Sequence, residues 1–389
     1  MTALLAYPFR PFFLLVGLYA GLVMLGWSGY LFAAMPLPIA IPAAQWHSHE
    51  MLYGLVPAAM AGFLLTAITN WTAARAVRGG WLLALILLWL CGRSGMALAG
   101  LLEPWLVGAV DVGFLVVLAI YVAGVVLRYR NYRNLVLVAV IVTLALGNLL
   151  MHVGFARGEA RWLQMGQRLG LDVIALMMAV IAGRITPAFS RNWLRVQGGD
   201  PAPVRQWPYL DQLALASIAL LAPLDVLFPD SDAVPLTALA AGLLNGLRLL
   251  QWSAWRVLRE PLLWILHLAY LWIVVALVLR GSTLLGAGFS SSLWQHALGV
   301  GGIGVLVLGV MTRVAVGHTG RPLRLLPLGL WIYFAINTAA LLRVLAAGEV
   351  IDYRTGILLA AAGWIIAFGL YVILYWPVLS RPRPDGKPG

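Results

Sequence analysis

Twelve apolar runs, each long enough to cross a bilayer, constrain this chain more than any other feature. A helix needs about 20 residues to span the hydrocarbon core. Runs of that length fall near 11–33, 48–69, 81–102, 105–127, 134–155, 164–185, 210–228, 234–256, 261–280, 292–316, 324–346 and 353–378. The seventh is the weakest, because Pro223 and Asp225 interrupt it. Hydrophobic residues make up 62% of the chain and charged residues 10%, with a mean hydropathy of +0.92. A soluble domain carries about 25% charged residues. The expected fold is an all-α integral membrane protein: one polytopic domain over 1–389, a bundle of about 12 transmembrane helices. The first run is long enough to span and stay, so no cleaved signal peptide is expected.

The formal net charge is +12, and Lys387 is the sole lysine. In a soluble protein that balance would suggest nucleic acid. Here 18 of the 26 basic residues sit in Arg10's segment, five alternate loops (69–80, 128–134, 184–208, 256–261 and 313–324) and the tail 380–389. The intervening loops (33–47, 102–105, 155–164, 228–234, 280–291 and 346–353) are nearly free of basic residues or carry acids, 155–164 fitting least well. By the positive-inside rule both termini face the cytoplasm of a bacterial inner membrane, lipid is the surrounding partner, and no nucleic-acid partner is expected. The single cysteine, Cys91, excludes a disulfide framework, a CxxCH haem site and a four-cysteine iron–sulfur site within the chain.

The densest set of metal-capable groups is Gln45-Trp46-His47-Ser48-His49-Glu50-Met51-Leu52-Tyr53-Gly54. Imidazole ligates haem iron, copper and zinc alike. The bland alternative is histidines bonded to headgroups, with Glu50 capping a first helical turn. Loop charge puts His47, His49, His152 and His296 in one outer layer, and His267 and His318 on the inner side. On an ideal helix His47 and His49 point about 200° apart. They share a metal only if the helix has not begun at His47, which Pro42 makes feasible.

Charges inside the spans sort by depth in the same way. Arg93, Asp111 and Asp172 lie roughly 9–14 Å from the outer ends of their runs, at 1.5 Å per residue. An unpaired charge there is costly, so Arg93 is expected to pair with Asp111 or Asp172, and either acid could also relay protons. Arg248 is deep with no evident partner. Gly299, Gly301, Gly302, Gly304 and Gly309 share one run, where absent side chains let a helix or a flat macrocycle approach.

Several blocks together resemble the NnrS family of bacterial inner-membrane proteins. They are Phe9-Arg10-Pro11-Phe12-Phe13, Trp46-His47-Ser48-His49-Glu50-Met51 with Gly54, Thr66-Ala67-Ile68-Thr69-Asn70-Trp71-Thr72, and Gly183-Arg184-Ile185-Thr186-Pro187-Ala188-Phe189. Further on come Arg259-Glu260-Pro261-Leu262-Leu263-Trp264-Ile265-Leu266-His267-Leu268-Ala269-Tyr270, His296 with its glycines, and Arg313-Val314-Ala315-Val316-Gly317-His318-Thr319-Gly320-Arg321-Pro322. The resemblance implies a haem- and copper-containing membrane protein (haem b and copper) acting in nitric oxide metabolism, denitrification or nitrosative-stress resistance. It implies no residue-level ligand set. His152 alone of the six histidines falls outside these blocks.

The candidate metal ligands are therefore His47, His49, His267, His296, His318 and His152. The arrangement preferred from sequence is an outer site of His47, His49 and His296, with Glu50 orienting an imidazole or relaying protons. A second centre would use His267 and His318. Arg184, Arg313 and Arg321 could hold haem propionates, or serve only as positive-inside residues. Trp71 and Tyr270, like Asn70 and Thr186, line the same face or anchor it in the interface. Asp111 and Asp172 join Glu50 as proton-relay candidates. Such a protein could reduce nitric oxide, bind or sense it, or handle metal. Reduction would need quinol or a redox protein as electron donor, since no flavin, nicotinamide or c-haem motif is present. The competing reading is a twelve-span secondary transporter of the major facilitator type. Against it, loop 69–80 lacks that family's charged signature, and the halves show no repeat.

Overall fold

The computed structural model describes residues 3–37, 39, 41–282 and 290–386. Most of the 280–291 connection and the last three residues of the tail lie outside the described residues. Among the described residues twelve helices are long and apolar enough to cross a membrane, and there is no strand. They are α1 (Phe9–Ala33), α2 (Ala43–Trp71), α3 (Gly80–Ala97), α4 (Pro104–Arg128), α5 (Tyr132–Arg157), α6 (Ala160–Val196), α7 (Pro208–Leu227), α8 (Ala233–Leu250), α9 (Pro261–Gly281), α10 (Ser292–His318), α11 (Gly329–Ala347) and α12 (Tyr353–Ser380). The number is the one expected from hydropathy. A chain in lipid must satisfy its backbone internally, and helices do so within one segment.

Local chemistry fixes the helix ends. Pro104, Pro208 and Pro261 each open a helix, where the missing N–H costs nothing. Glu103 accepts from the Leu106 amide at 2.9 Å, and Glu260 from the Leu262 amide at 3.1 Å. Gly158 (φ 66°) closes α5 in the left-handed conformation. Helix α6 runs to Val196, beyond the expected end at 185. Apolarity marks where a span leaves lipid, whereas the helix continues through Pro187 into polar sequence. Pro223 likewise lies inside a continuous α7.

The chain forms two compact units. The first comprises Met1–Gly170, Val314–Leu323 and Phe368–Gly389; the second comprises Leu171–Arg313 and Arg324–Ala367. In the first unit α2 is the enclosed helix, with 83% of its apolar stretch buried against 33% for α3. Fully buried Arg10 donates to the Leu379 carbonyl at 2.7 Å and the Arg381 carbonyl at 2.8 Å, so this block residue closes the end of α12. In the second unit most of the α10 glycines are filled by helix packing. A Cβ on Gly301 would collide with Trp272, and one on Gly304 with Trp364. These two make room for indoles, Gly309 packs on Ile265 and Leu266, and Gly299 faces open space.

Two helices change pitch. Glu50–Leu55 in α2 and Ala297–Gly304 in α10 are π-helical. Each segment begins immediately after a histidine, His49 or His296. A π turn inserts one extra residue and re-aims the side chains around it, a local cost that recurs at functional sites.

Candidate metal centre

The site is built in the first unit from α2, α3, α4 and α5. These spans run antiparallel in sequence, so the start of α2 and α4 and the end of α3 and α5 meet at one level. His49, Arg93, Asp111 and His152 lie about 6–10 Å from those helix ends, at 1.5 Å per residue.

His49 is fully buried. Its Nδ1 lies 2.8 Å from Glu50 Oε1, and its Nε2 lies 2.8 Å from Asn148 Oδ1 and 3.2 Å from Asp111 Oδ2. His152 Nε2 lies 2.9 Å from the same Asp111 oxygen. His49 Nε2 faces two acceptor oxygens, Asn148 Oδ1 and Asp111 Oδ2, so it carries a proton as the site stands; a metal ion would replace that proton, with Nδ1–H held on Glu50. Two imidazole nitrogens and a carboxylate oxygen then converge, all within 4.8 Å of one another and all buried. Asn148 also donates to Asp111 Oδ2 at 2.9 Å. Phe155 packs edge-on against both rings, and the rings themselves meet edge to face at 5.0 Å.

Arg93 holds the acids in place. Its Nη1 donates to both Glu50 oxygens at 2.6 Å, and its Nη2 contacts Asp111 Oδ1. Two carboxylates against one guanidinium leave one negative charge in a buried, low-dielectric setting. Such a charge calls for a proton or a cation. Glycines provide the space. A Cβ on Gly54 would stand 2.7 Å from Arg93 Nη1, and one on Gly108 3.1 Å from the His152 ring.

The sequence candidates separate accordingly. His49, His152 and Asp111 come together, with Glu50 tied to His49 and Arg93. His47 does not join them. The helix has already begun at Ala43, so His47 points elsewhere and stacks on Trp27, with centroids 4.6 Å apart and planes 10° apart. Arg93 pairs with Asp111, one of its two expected partners. Asp172 instead binds Arg280 in the second unit. Arg248 does have partners: Asp211 at 2.6 Å and the Tyr270 hydroxyl at 2.8 Å. Tyr270 donates in turn to Asn245 Oδ1 at 2.5 Å.

The other histidines have partners of their own. In the second unit His267 Nε2 meets Ser190 Oγ at 3.1 Å while its buried Nδ1 has no hydrogen-bond partner. His296 Nδ1 lies 2.8 Å from the Ser292 carbonyl. In the first unit His318 packs on Phe9, centroids 5.7 Å apart. Arg313 lies 4.2 Å over the Phe189 ring, Arg321 donates to the Thr319 carbonyl at 3.4 Å, and Arg184 is half-buried. The Trp71 carbonyl accepts from Asn131.

Asn148 was absent from the sequence candidates. The available signal was its spacing from His152. Residues four apart share a helix face, and two polar side chains on one face of an apolar span point to a common partner.

Twelve membrane-length helices and a buried imidazole–carboxylate cluster define a polytopic membrane protein with a candidate metal centre. The model of the NnrS protein family matches residues 3–383, nearly the whole chain. The chain belongs to the NnrS family, which marks it as a membrane protein related to nitric oxide. No curated protein matches it. The transporter reading is not favoured.

Proposed function

We propose that this protein binds copper through His49 Nε2, His152 Nε2 and Asp111 Oδ2, and that nitric oxide binds at this centre. The observation carrying the proposal is the convergence of those three buried atoms while His49 Nδ1 is committed to Glu50. A carboxylate holding the far nitrogen fixes the tautomer and orientation of a ligating imidazole. Imidazole with carboxylate suits copper, and the set's single uncompensated negative charge is neutralised by a monovalent cuprous ion. The same set accommodates ferrous iron, so elemental analysis must name the metal.

A haem does not fit between His49 and His152, because both Nε2 atoms sit on one carboxylate oxygen. Of the histidines left for a b-type haem, His267 presents a buried nitrogen without a hydrogen-bond partner. Arg313, in the same unit, is then a propionate candidate.

Reduced copper supplies an electron-rich site for a small neutral diatomic. The protein's own groups do the rest. Phe155 packs against both rings. Arg93 fixes Glu50 and Asp111 in position, and Glu50 can take or return the His49 Nδ1 proton. By the loop charges this layer lies near the outer face of a bacterial inner membrane, where nitric oxide arrives through lipid. Turnover would further require electrons from quinol or a redox protein. The test is an optical and electron paramagnetic resonance titration of the reduced, detergent-solubilised protein with nitric oxide. A nitrosyl signal that His152→Ala abolishes is expected; an identical signal in that variant would remove the assignment.

A further inference from the structure

The second unit holds another buried charge cluster, which the metal reading does not use. Arg280 on α9 reaches two carboxylates at once: Nη1 to Asp172 Oδ1 on α6 at 2.5 Å, and Nη2 to Asp225 Oδ2 on α7 at 2.5 Å. All three side chains are at least nine-tenths buried. The Trp294 ring covers the guanidinium, its centroid 4.4 Å from Cζ. Asp172 Oδ2, buried, has no hydrogen-bond partner.

The ionisable groups on neighbouring elements are engaged elsewhere. On α8, Arg248 binds Asp211 and Tyr270. On α10, His296 is bonded to Ser292, and Arg343 of α11 donates to the Ser292 hydroxyl. On α9, His267 meets Ser190. Two carboxylates therefore share one guanidinium, and their full ionisation would leave one net negative charge out of water. That state is strongly disfavoured in a low-dielectric interior, and a buried carboxylate relieves it by taking a proton. A metal cation is a poor alternative, since hard cations require about six oxygen ligands, and the two carboxylates have four oxygens between them, two already bound to Arg280.

We propose that Asp172, Arg280 and Asp225 form a proton-binding site that holds one exchangeable proton at neutral pH. The step is a simple equilibrium: a carboxylate oxygen of the pair takes a proton to become the carboxylic acid and releases it on deprotonation, with no electron transfer. Two acids on one cation resist double ionisation, so the protons leave in two separated steps belonging to the pair. Within a membrane-spanning unit such a group can load and release a proton without unpairing the arginine.

The test is infrared spectroscopy of the full-length protein in liposomes, in water and in heavy water. A carboxylic acid carbonyl band is expected at neutral pH, shifted by heavy water and lost at alkaline pH. Asp172→Asn and Asp225→Asn should each remove it, because either substitution leaves one carboxylate matched to Arg280. Glu50→Gln removes any contribution from the first unit and should leave this band in place, so failure of the metal reading does not touch the result. Persistence of the band in both Asn variants would overturn the proposal. Should neither variant fold, the wild type still decides: no carboxylic acid band at neutral pH overturns it.

Discussion

At the residue scale, Glu50 joins the two halves of the candidate centre. It accepts from His49 Nδ1 and takes both hydrogen bonds of Arg93 Nη1. Substituting Gln keeps the shape and removes the charge that orients the imidazole. Partners of this kind contribute about 10–100-fold to metal affinity. Glu50→Gln should therefore weaken copper binding by that factor in a chelator competition, while leaving a folded protein. Unchanged affinity would demote Glu50 to a structural partner of Arg93. The sequence made part of this site legible. His49 and Glu50 stood out because two histidines and an acid open an apolar span, and Arg93 with Asp111 because equal depth in lipid demands pairing. Loop charge placed His152 in the same outer layer, yet the preferred ligand set left it out, since its role depends on where α5 packs against α2 and α4, which no local pattern encodes. Arg280 was hidden for a related reason. It ends its span, where an arginine reads as an interfacial residue, and only the fold turns it inward onto Asp172 and Asp225.

At the element scale, the π segment Glu50–Leu55 sets where Glu50 points relative to the rest of α2. Deleting one residue from it, Met51 for example, would restore ordinary α-helical pitch. Because the π turn accommodates one extra residue, the helix on either side of the deletion would keep its facing, while the side chains inside the segment, Glu50 first among them, would be re-aimed. Glu50 would swing away from Arg93 and leave His49 without the carboxylate that orients it, while the apolar body of α2 kept its packing. The expected outcome is a membrane-inserted protein, monodisperse in detergent, that has lost its metal. Retention of a full metal complement would show that the π turn does not orient the ligand through Glu50. Neither π segment was legible in the sequence, because pitch depends on which tertiary contacts the helix must meet. The helix starts were easier: Pro104, Pro208 and Pro261 mark them by chemistry that acts within one turn. The start of α2 at Ala43 precedes the expected 48, and it decides between the two outcomes left open by the sequence, separating His47 from His49.

At the scale of the whole molecule, twelve spans followed from hydropathy alone, because a bilayer imposes one length on every crossing helix. Division into two compact units did not follow, since it rests on contacts between segments as distant as Arg10 and Leu379. An even number of spans returns the chain to the side on which it starts, and the positive-inside rule leads us to expect that side in the cytoplasm. Reporter fusions after Ser380 should thus be active only with cytoplasmic-type reporters, and fusions in loop 155–164 only with periplasmic-type ones; the reverse pattern would invert the site's placement. The most direct test of the account is elemental analysis of the purified wild-type protein beside His49→Ala, His152→Ala and His47→Ala. The account predicts copper in the wild type and in His47→Ala, and its loss in the other two. Equal copper in all four folded proteins, or loss in His47→Ala alone, would contradict it.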